Sequence, residues 1–525
     1  MAGTGRARPE TRRETAEFLG IGPVQVAELD LGGAGAGGAA GAVGAAGADG
    51  AGDAVGDGQA DGGAVSAGEM AGDAVSDGNA VDAREVDEDA VSAGKTDGHA
   101  VNAGKTDGHA VLRPGPGCPP VTSGAVFLLV RRAGRPVGTL VGQVPEGADP
   151  TRVLAVLARE LPRGEPSEPL PAPLPEPSPA PPSAPPSAPP SATVVVATRE
   201  RPGPLARALD SLLAQDHPDF DVVVVDNAPL TGETRDLVLR KYGERVRYVC
   251  EPVPGLAVAH NRGLALVRSE VVAFTDDDVV ADPRWLTELT APFTADPRLG
   301  CTTGLILPAR LRTPAQVLLE SHGGFAKGFT PRTYDPEHPP ADEPLFPFTA
   351  GRFGSGANMA FRTAVLRTVG GFDPATGAGT RARGGDDLYG FVRVLAQGQR
   401  LRYTPSALVW HHHRESWRDL EAQAFGYGAG LTAYLTAVLV NRPALLPALL
   451  VRLPGGLAHA RGLTAVRDTG DGGAPGAPGT PGAHDERIHP WPRRLSRLQR
   501  RGMLYGPVGY LRARLALRTA GLEAR

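Results

Sequence analysis

Apolar, β-branched segments alternate with helix-spaced leucines from Thr193 onward, and this alternation constrains the fold more than any other feature of the chain. TVVVA at Thr193–Ala197 and FDVVVV at Phe220–Val225 are apolar at almost every position, which is typical of strands covered by helices on both sides. Further segments predict strands at Arg245–Cys250 and Val271–Thr275 and a helix at Ala257–Arg268. The pattern predicts an α/β domain built on a parallel sheet.

Polar residues at the ends of these strands are the first candidates for a site, because ligands of such sheets bind at the carboxyl ends of the strands. The first strand ends in TRER at 198–201 and not in G-x-G-x-x-G, so a dinucleotide-dependent dehydrogenase is disfavoured. The second ends in Asp226-Asn227, which either accepts hydrogen bonds from a ribose or a base edge or forms an ordinary turn.

Three adjacent carboxylates, Asp276, Asp277 and Asp278, follow the fourth strand. Like charges this close repel one another, so they need a cation or full solvation. Because alternate side chains of an extended chain share a face, Asp276 and Asp278 can converge on one divalent ion while Asp277 points away. Carboxylate oxygens suit Mg²⁺ or Mn²⁺. A solvated acidic turn is the other interpretation.

Two more polar clusters lie farther along the chain. GGDD at 384–387 opens a predicted helix, where its acids either belong to a site or are simple helix caps. HHHR at 411–414 follows a strand-like run, and its histidines either bind a metal or form a solvated turn.

Composition divides the chain, because its 70 glycines and 51 prolines are concentrated in a few stretches that cannot offset the entropy lost on folding. In chain order we expect a small α+β accessory unit at 1–31 plus 121–163, a disordered low-complexity insert at 32–120, a Pro-rich linker at 164–191, the α/β domain at 192–418, a helical extension at 419–465, a flexible linker at 466–486 and a basic amphipathic helix at 487–525. Three cysteines far apart and no visible secretory signal predict a cytoplasmic protein without disulfides.

The C-terminal region combines arginines with apolar residues, and after Arg487 it has Glu523 as its only acid. A basic amphipathic helix there either lies on an anionic membrane surface, which would place the protein at the inner face of a membrane, or packs on the α/β domain. The apolar run Leu431–Leu453 is interrupted by Asn441-Arg442-Pro443, so a clean membrane-spanning helix is not expected. No nucleic acid partner is expected, since the region lacks a recognised binding module.

Taken in order, the motifs resemble those of the bacterial family 2 glycosyltransferases, which are inverting enzymes with the GT-A fold. The resemblance covers Thr193 to Trp417 and rests on VVVATRERPGPLARALDSLLAQ, VVVVDN, PGLAVAHNRGLALVRSEVVAFTDDD, GANMAFRTAVLRTVGGFD, GGDDL and ALVWHHHR. It implies a Rossmann-like, mixed and mostly parallel sheet with helices on both faces, beside the small N-terminal unit and the C-terminal helices.

The resemblance also implies roles for particular residues. The nucleotide-binding positions would be Thr198, Arg199, Asp226, Arg262 and Asp276. A Mg²⁺ or Mn²⁺ ion would be held by Asp276, Asp278 and His411, with His413 as the alternative histidine. Asp387 would be the general base; its neighbour Asp386 stands where the family has Glu, which leaves either carboxylate as a candidate. Gly356 and Asn358 would border the sugar and acceptor pocket, unless their segment is only a tight turn.

The activity implied is transfer of a sugar from a nucleotide-diphosphate-sugar donor to a hydroxyl of a glycan or lipid-linked acceptor, with inversion, in cell-surface polysaccharide or glycolipid synthesis. A divalent cation would neutralise charge on the departing diphosphate. One alternative is a sugar nucleotidyltransferase, although ATRERPGP is a poor match to the Gly-rich loop of such enzymes. The other is a non-catalytic scaffold, and the retention of both acidic clusters argues against it.

Overall fold

The computed structural model describes residues 22–32, 110–161, 189–322, 324–455 and 492–519. Most of the predicted low-complexity insert and of the Pro-rich linker lies outside these residues, and so does the whole linker predicted at 466–486.

A small four-stranded sheet precedes the main domain. Its strands are β1 (Gln25–Asp30), β2 (Val111–Pro114), β3 (Gly124–Arg132) and β4 (Arg135–Val144), arranged in the order β2-β1-β3-β4. Helix α1 (Pro150–Glu160) covers one face, and Asp149 caps it by accepting a hydrogen bond of 2.9 Å from the Thr151 amide.

Strand β2 corrects the predicted extent of the disordered insert at 32–120. Residues 111–114 pair antiparallel with β1, so the insert does not reach 120. A four-residue edge strand with mostly exposed side chains has too little alternation to stand out from its surroundings in sequence.

The second face of the small sheet packs on the main domain. Val26, Phe127 and Leu129 belong to the same buried cluster as Leu305 and Leu307. A buried guanidinium reinforces this contact, because Arg131 donates to Glu28 at 3.0 Å within the small sheet and to Asp282 at 2.6 Å in the main domain. The small unit is therefore docked on the main domain through both apolar and charged contacts.

The main domain is built on a nine-stranded sheet. Its strands are β5 (Ala192–Thr198), β6 (Phe220–Asn227), β7 (Arg247–Glu251), β8 (Val271–Asp276), β9 (Val279–Ala281), β10 (Leu299–Pro308), β11 (Arg332–Tyr334), β12 (Asn358–Arg362) and β13 (Arg400–His411). The order is β11-β13-β10-β12-β8-β5-β6-β7, with β9 paired to β13. The pairings point β5, β6, β7, β8, β10 and β13 one way and the other three strands the opposite way, which confirms the mixed, mostly parallel α/β sheet.

Helices cover both faces of this sheet, and two separate apolar cores result. The helices are α2 (Pro202–Leu212), α3 (Glu233–Leu237), α4 (Leu256–Leu264), α5 (Trp285–Ala295), α6 (Pro314–Ser321), α7 (Thr363–Thr368), α8 (Asp386–Ala396), α9 (Trp417–Asn441), α10 (446–455) and α11 (Arg493–Thr519). Strands buried on both sides need such covering, which is why their sequences are almost wholly apolar.

Helix α9 begins at Trp417, one residue before 418, where the sequence predicted the end of the α/β domain. The helix packs into the core of that domain. Tyr434, Ala437 and Val438 are fully buried in the same cluster as Phe391 of α8. Within the described residues no single helix is long and apolar enough to cross a membrane; only α9 taken together with Pro443–Gly455, across a bend of 111°, meets those criteria.

Glycines allow α11 to lie directly against α9. A Cβ on Gly502 would stand 2.1 Å from the Phe425 carbonyl oxygen, and one on Gly428 would stand 1.9 Å from the Gln499 carbonyl oxygen. The Thr432 hydroxyl donates across the interface to the Met503 carbonyl at 2.8 Å. The two backbones therefore touch at positions where no larger residue fits.

Replacing Gly502 with alanine should force α11 away from α9. We expect Gly502→Ala to lower the free energy of unfolding by about 2 kcal/mol, the usual cost of overpacking, as measured by urea denaturation. The matched control is Gly203→Ala in α2, where a Cβ meets nothing within 4 Å. That variant should be unchanged or more stable by up to about 1 kcal/mol. Equal stabilities of the two variants would contradict the close packing described here.

Candidate functional site

The carboxyl ends of the parallel strands form one edge of the large sheet, and the acidic residues collect there. β5 ends at Thr198, β6 at Asn227 and β8 at Asp276. β12 runs antiparallel to β8 and pairs Asn358 with Thr275, so its beginning lies at the same edge. Topology thus brings together segments that are far apart in the chain.

Asp276, Asp278 and His411 form a cluster with one possible ligand atom each, and these atoms all lie within 4.8 Å of one another. Strand pairing explains why His411 lies close to the aspartates. Strand β9 follows the aspartates directly and places Val279 opposite His411 on β13. The His411 Nε2 atom lies 3.3 Å from the Asp278 Oδ1 atom.

Asp277 lies apart from this cluster and is bound by the loop after β5. Its carboxylate accepts a hydrogen bond of 2.7 Å from the Thr198 hydroxyl and another from Arg201. Arg201 also donates to Asp278 at 3.0 Å. The alternation of side chains therefore separates Asp277 from its two neighbours, as the extended geometry predicted.

The electrostatics of the cluster favour a bound cation. Burial raises the pKa of Asp276 well above its usual range, and the carboxylates of Asp278 and Asp277 raise it further. Burial lowers the pKa of His411 to about 4, so its imidazole is neutral at physiological pH. Two carboxylates and a neutral imidazole form a ligand set that suits Mn²⁺ and also Mg²⁺.

A second acidic pair, Asp386 and Asp387, stands at the N-terminus of α8. The Asp387 carboxylate accepts hydrogen bonds from the Gly356 amide at 2.9 Å and from the Leu388 amide at 2.8 Å. Burial raises its pKa to about 6, and the neighbouring Asp386 adds to the effect. Gly356 lies two residues before Asn358, which pairs with Thr275 beside Asp276, so the strand pairing brings the two acidic clusters close together. In agreement, Asp386 and Asp387 both raise the pKa of Asp276.

His260 of α4 lies next to Asp386 in the interior of the domain. Its Nδ1 atom lies 3.3 Å from the Asp386 Oδ2 atom, and its ring lies against Phe274 and Phe372 with centroid distances of 4.8 and 5.2 Å. Both side chains are buried, whereas Asp387 is only half-buried. Asp387 is therefore the acid that faces the site.

Asp226 offers a hydrogen-bond acceptor at the end of β6. It is fully buried, and its Oδ2 atom accepts a hydrogen bond of 2.9 Å from the Tyr248 hydroxyl, while its Oδ1 atom has no partner among the described residues. Burial raises its pKa. A buried oxygen without a partner is costly, and a ligand that donates a hydrogen bond would remove that cost.

The residues predicted from sequence divide into two groups. Thr198, Asp226, Asp276, Asp278, Gly356, Asp386, Asp387 and His411 lie at the shared edge of the sheet. Arg199 and Arg262 are exposed, and their contact with a nucleotide stays a prediction. Sequence reasoning missed Arg201 and His260, although both lie in motifs that it had singled out.

Asn358 corrects one prediction, because its side chain is committed to the core. Its amide nitrogen donates to the Leu305 and Ala407 carbonyls at 2.9 and 2.8 Å, and its oxygen accepts from the Trp285 indole at 2.8 Å. With the amide engaged at both ends and buried, Asn358 ties β12 to its neighbours and does not present its side chain to a pocket.

Comparison with known proteins agrees with this architecture. Residues 193–369 match the model of glycosyl transferase family 2. A pre-mycofactocin glycosyltransferase of Mycobacterium tuberculosis is 30% identical over 292 residues, which cover 53% of this chain and 56% of that protein. A glucosyl-dolichyl phosphate glucuronosyltransferase of Haloferax volcanii is 26% identical over 230 residues, 42% of this chain and 68% of that protein.

Among solved structures, a Pyrobaculum calidifontis mannosyltransferase in complex with GDP-Man and Mn²⁺ is 21% identical, with a TM-score of 0.39 over 62% of this chain and 88% of that chain. Over residues 193–369 the α/β domain is similar to glycosyl transferase family 2, and its sheet topology and acidic site agree with that similarity. The chain spans about half the length of the Mycobacterium tuberculosis relative, 56%.

We expect one Mn²⁺ ion to bind at the Asp276, Asp278 and His411 cluster. Asp278→Ala should weaken Mn²⁺ binding at least about tenfold, because the variant loses a charged oxygen ligand. The measurement is the electron paramagnetic resonance signal of free Mn²⁺ in a titration. The control is Glu337→Gln, which changes an exposed acid in the other group of residues that could hold a metal ion. This variant should bind Mn²⁺ as the unaltered protein does. Unchanged affinity in Asp278→Ala would show that the cluster holds no ion.

Proposed function

We propose that this protein transfers a sugar from a nucleotide-diphosphate sugar to an acceptor hydroxyl, with inversion at the anomeric carbon. The observation that carries the proposal is the convergence of Asp276, Asp278 and Asp387 at one edge of the sheet. Sugar transfer needs a cation for the leaving diphosphate and a base for the acceptor, and these two groups supply both. The named relatives are a glycosyltransferase and a glucuronosyltransferase, which supports sugar transfer as the reaction.

Asp387 is the base in this mechanism, and Asp386 is its support. The amides of Gly356 and Leu388 orient the Asp387 carboxylate, and its half-buried position leaves it accessible to an acceptor hydroxyl. As that hydroxyl attacks the anomeric carbon, Asp387 takes its proton, and the donor diphosphate leaves from the opposite face. One displacement of this kind inverts the configuration.

The donor side is provided by the ends of β5, β6 and β8. The Asp226 oxygen that lacks a partner would accept a hydrogen bond from the nucleoside, and Asp276, Asp278 and His411 would hold the divalent ion. When bound, that ion neutralises the negative charge that develops on the leaving diphosphate. The Arg201 guanidinium, paired to Asp277 and Asp278, keeps these carboxylates in place.

Removing the proposed base should separate chemistry from binding. We expect Asp387→Asn to lower kcat by about 10²–10⁴-fold, the usual contribution of general base catalysis, and to leave nucleotide diphosphate binding intact. Release of nucleotide diphosphate from a donor panel measures kcat, and thermal shift with Mn²⁺ measures binding. Full activity of the variant would remove Asp387 from the mechanism. A wild-type protein that makes nucleotide sugars instead of using them would be a nucleotidyltransferase, and one that binds but never turns over would be a scaffold.

The raised pKa of Asp387 predicts how the rate depends on pH. A base works only when it is deprotonated, so kcat/KM should rise with pH up to about 6, where Asp387 loses its proton, and level off above that value. The profile is measured by initial rates at saturating Mn²⁺ between pH 5 and about 8. A rate that is flat across pH 5 to about 7 would contradict Asp387 as the base.

We further propose that the outer face of α11 lies on an anionic membrane surface, as in a peripheral protein that acts on lipid-linked or glycan acceptors at the cytoplasmic face. Four apolar side chains, Leu504, Val508, Leu511 and Leu515, follow one another at helical spacing and are 81, 45, 53 and 62% exposed. The α11 segment contains eight arginines and no acid. One helix face therefore packs on α9 while the other combines apolar and cationic groups.

The double variant Leu511→Ser/Leu515→Ser should lose most of its affinity for vesicles that contain phosphatidylglycerol. Each apolar side chain contributes about 1.5 kcal/mol or more when buried, so we expect at least a tenfold loss in co-sedimentation. Leu230→Ser is the control, because Leu230 is a leucine outside α11 that is even more exposed, at 81%. If the double variant binds such vesicles as well as the control does, α11 is not the membrane-binding element.

A further inference from the structure

A chain of three side chains extends from the metal cluster into the protein. The His411 Nδ1 atom lies 3.1 Å from the Nδ1 atom of His413, and the His413 Nε2 atom lies 3.0 Å from the Oε2 atom of Glu320. His413 is only 3% exposed, and Glu320 belongs to the last turn of α6. The chain therefore connects the largely buried helix α6 to the ligand set through a buried imidazole.

The chemistry of the three groups fixes where the protons lie when an ion is bound. A carboxylate only accepts hydrogen bonds, so His413 donates to Glu320 through Nε2. Its Nδ1 atom is then an acceptor, and the proton between the two rings belongs to Nδ1 of His411. The Nε2 lone pair of His411 is consequently free on the side of Asp278, where the cation would sit.

The surrounding structure holds these three residues in place. A capping box between Thr313 and Gln316 starts α6, and the Gln316 side chain also donates to the His413 carbonyl at 3.0 Å. The ring of Phe325 lies against both histidines, with centroid distances of 5.1 Å to His411 and 5.6 Å to His413. Neither imidazole can turn without breaking these contacts.

We propose that Glu320 and His413 are positioning residues that orient His411 and strengthen it as a metal ligand. The inference rests on the proposed metal-dependent function and adds a second layer to its site. Outer groups that hydrogen-bond to a ligating histidine fix its tautomer and raise its basicity. Neither Glu320 nor His413 touches the reacting atoms, so both act through His411.

The test measures Mn²⁺ affinity and the nitrogen modulation of bound Mn²⁺ by pulsed electron paramagnetic resonance, with no turnover required. Glu320→Gln keeps the size of the side chain and removes its charge, and we expect Mn²⁺ affinity to fall about tenfold, as is typical for such outer groups. His413→Ala should weaken binding at least as much and reduce the modulation from His411. The double variant should be no weaker than His413→Ala alone, because both residues act through one chain.

The matched control is Glu288→Gln, which removes a helix carboxylate paired to Arg284 at the surface. It should bind Mn²⁺ as the unaltered protein does. The proposal is overturned if Glu320→Gln binds Mn²⁺ within twofold of the control, or if the effects of Glu320→Gln and His413→Ala simply add. Asp278→Ala tests the metal site separately from the positioning role of Glu320 and His413. If Asp278→Ala loses Mn²⁺ while Glu320→Gln binds it with unchanged affinity, the positioning role is overturned and the metal site is retained. Retention of Mn²⁺ by Asp278→Ala would overturn both.

Discussion

Crowding of negative charge is the constraint on which the rest of this structure depends. Asp276, Asp278 and Asp387 are held together at one edge of the sheet, and their mutual repulsion and burial keep the pKa of Asp276 far above its usual range. Like charges this close disfavour the ionised form of the carboxylates unless a cation lies between them. A cation bound between these carboxylates would offset their repulsion, and the same cation would neutralise the leaving diphosphate in the proposed reaction.

The helices that hold the acidic residues in place include segments outside residues 193–369, which match the family model. The turn that carries Asp386 has Gly385 in a left-handed conformation, with a φ of 89°, and a Cβ there would stand 2.5 Å from the Gly430 carbonyl of α9. Helix α9 is held in turn by the glycines that admit α11. The C-terminal helices thus set the position of the proposed base, while the outer face of α11 remains exposed.

Much of the fold was predictable because its strands are buried on both faces, and a wholly apolar run of β-branched residues has few other uses. The convergence of Asp276 and Asp278 followed from the alternation of an extended chain. Asn358 could not be assigned in this way, because in sequence an asparagine amide can equally face a ligand or bind three groups in the core. The hydrogen bond from Trp285 shows that the amide belongs to the core. From the sequence, either Arg199 or Arg201 could pair with the aspartates after β8. The path of the loop after β5 places Arg201 against Asp277.

The sequence by itself determined which chemistry was available: carboxylates at strand ends, a Gly-Gly-Asp-Asp turn and a run of histidines, in an order that resembles family 2 glycosyltransferases. Local patterns fix local geometry, because backbone alternation and helix spacing depend on neighbouring residues alone. The tertiary structure decided which groups meet. His260 meets Asp386, and Glu320 meets His413 across 93 residues, because sheet order and helix packing set distances that no local pattern contains.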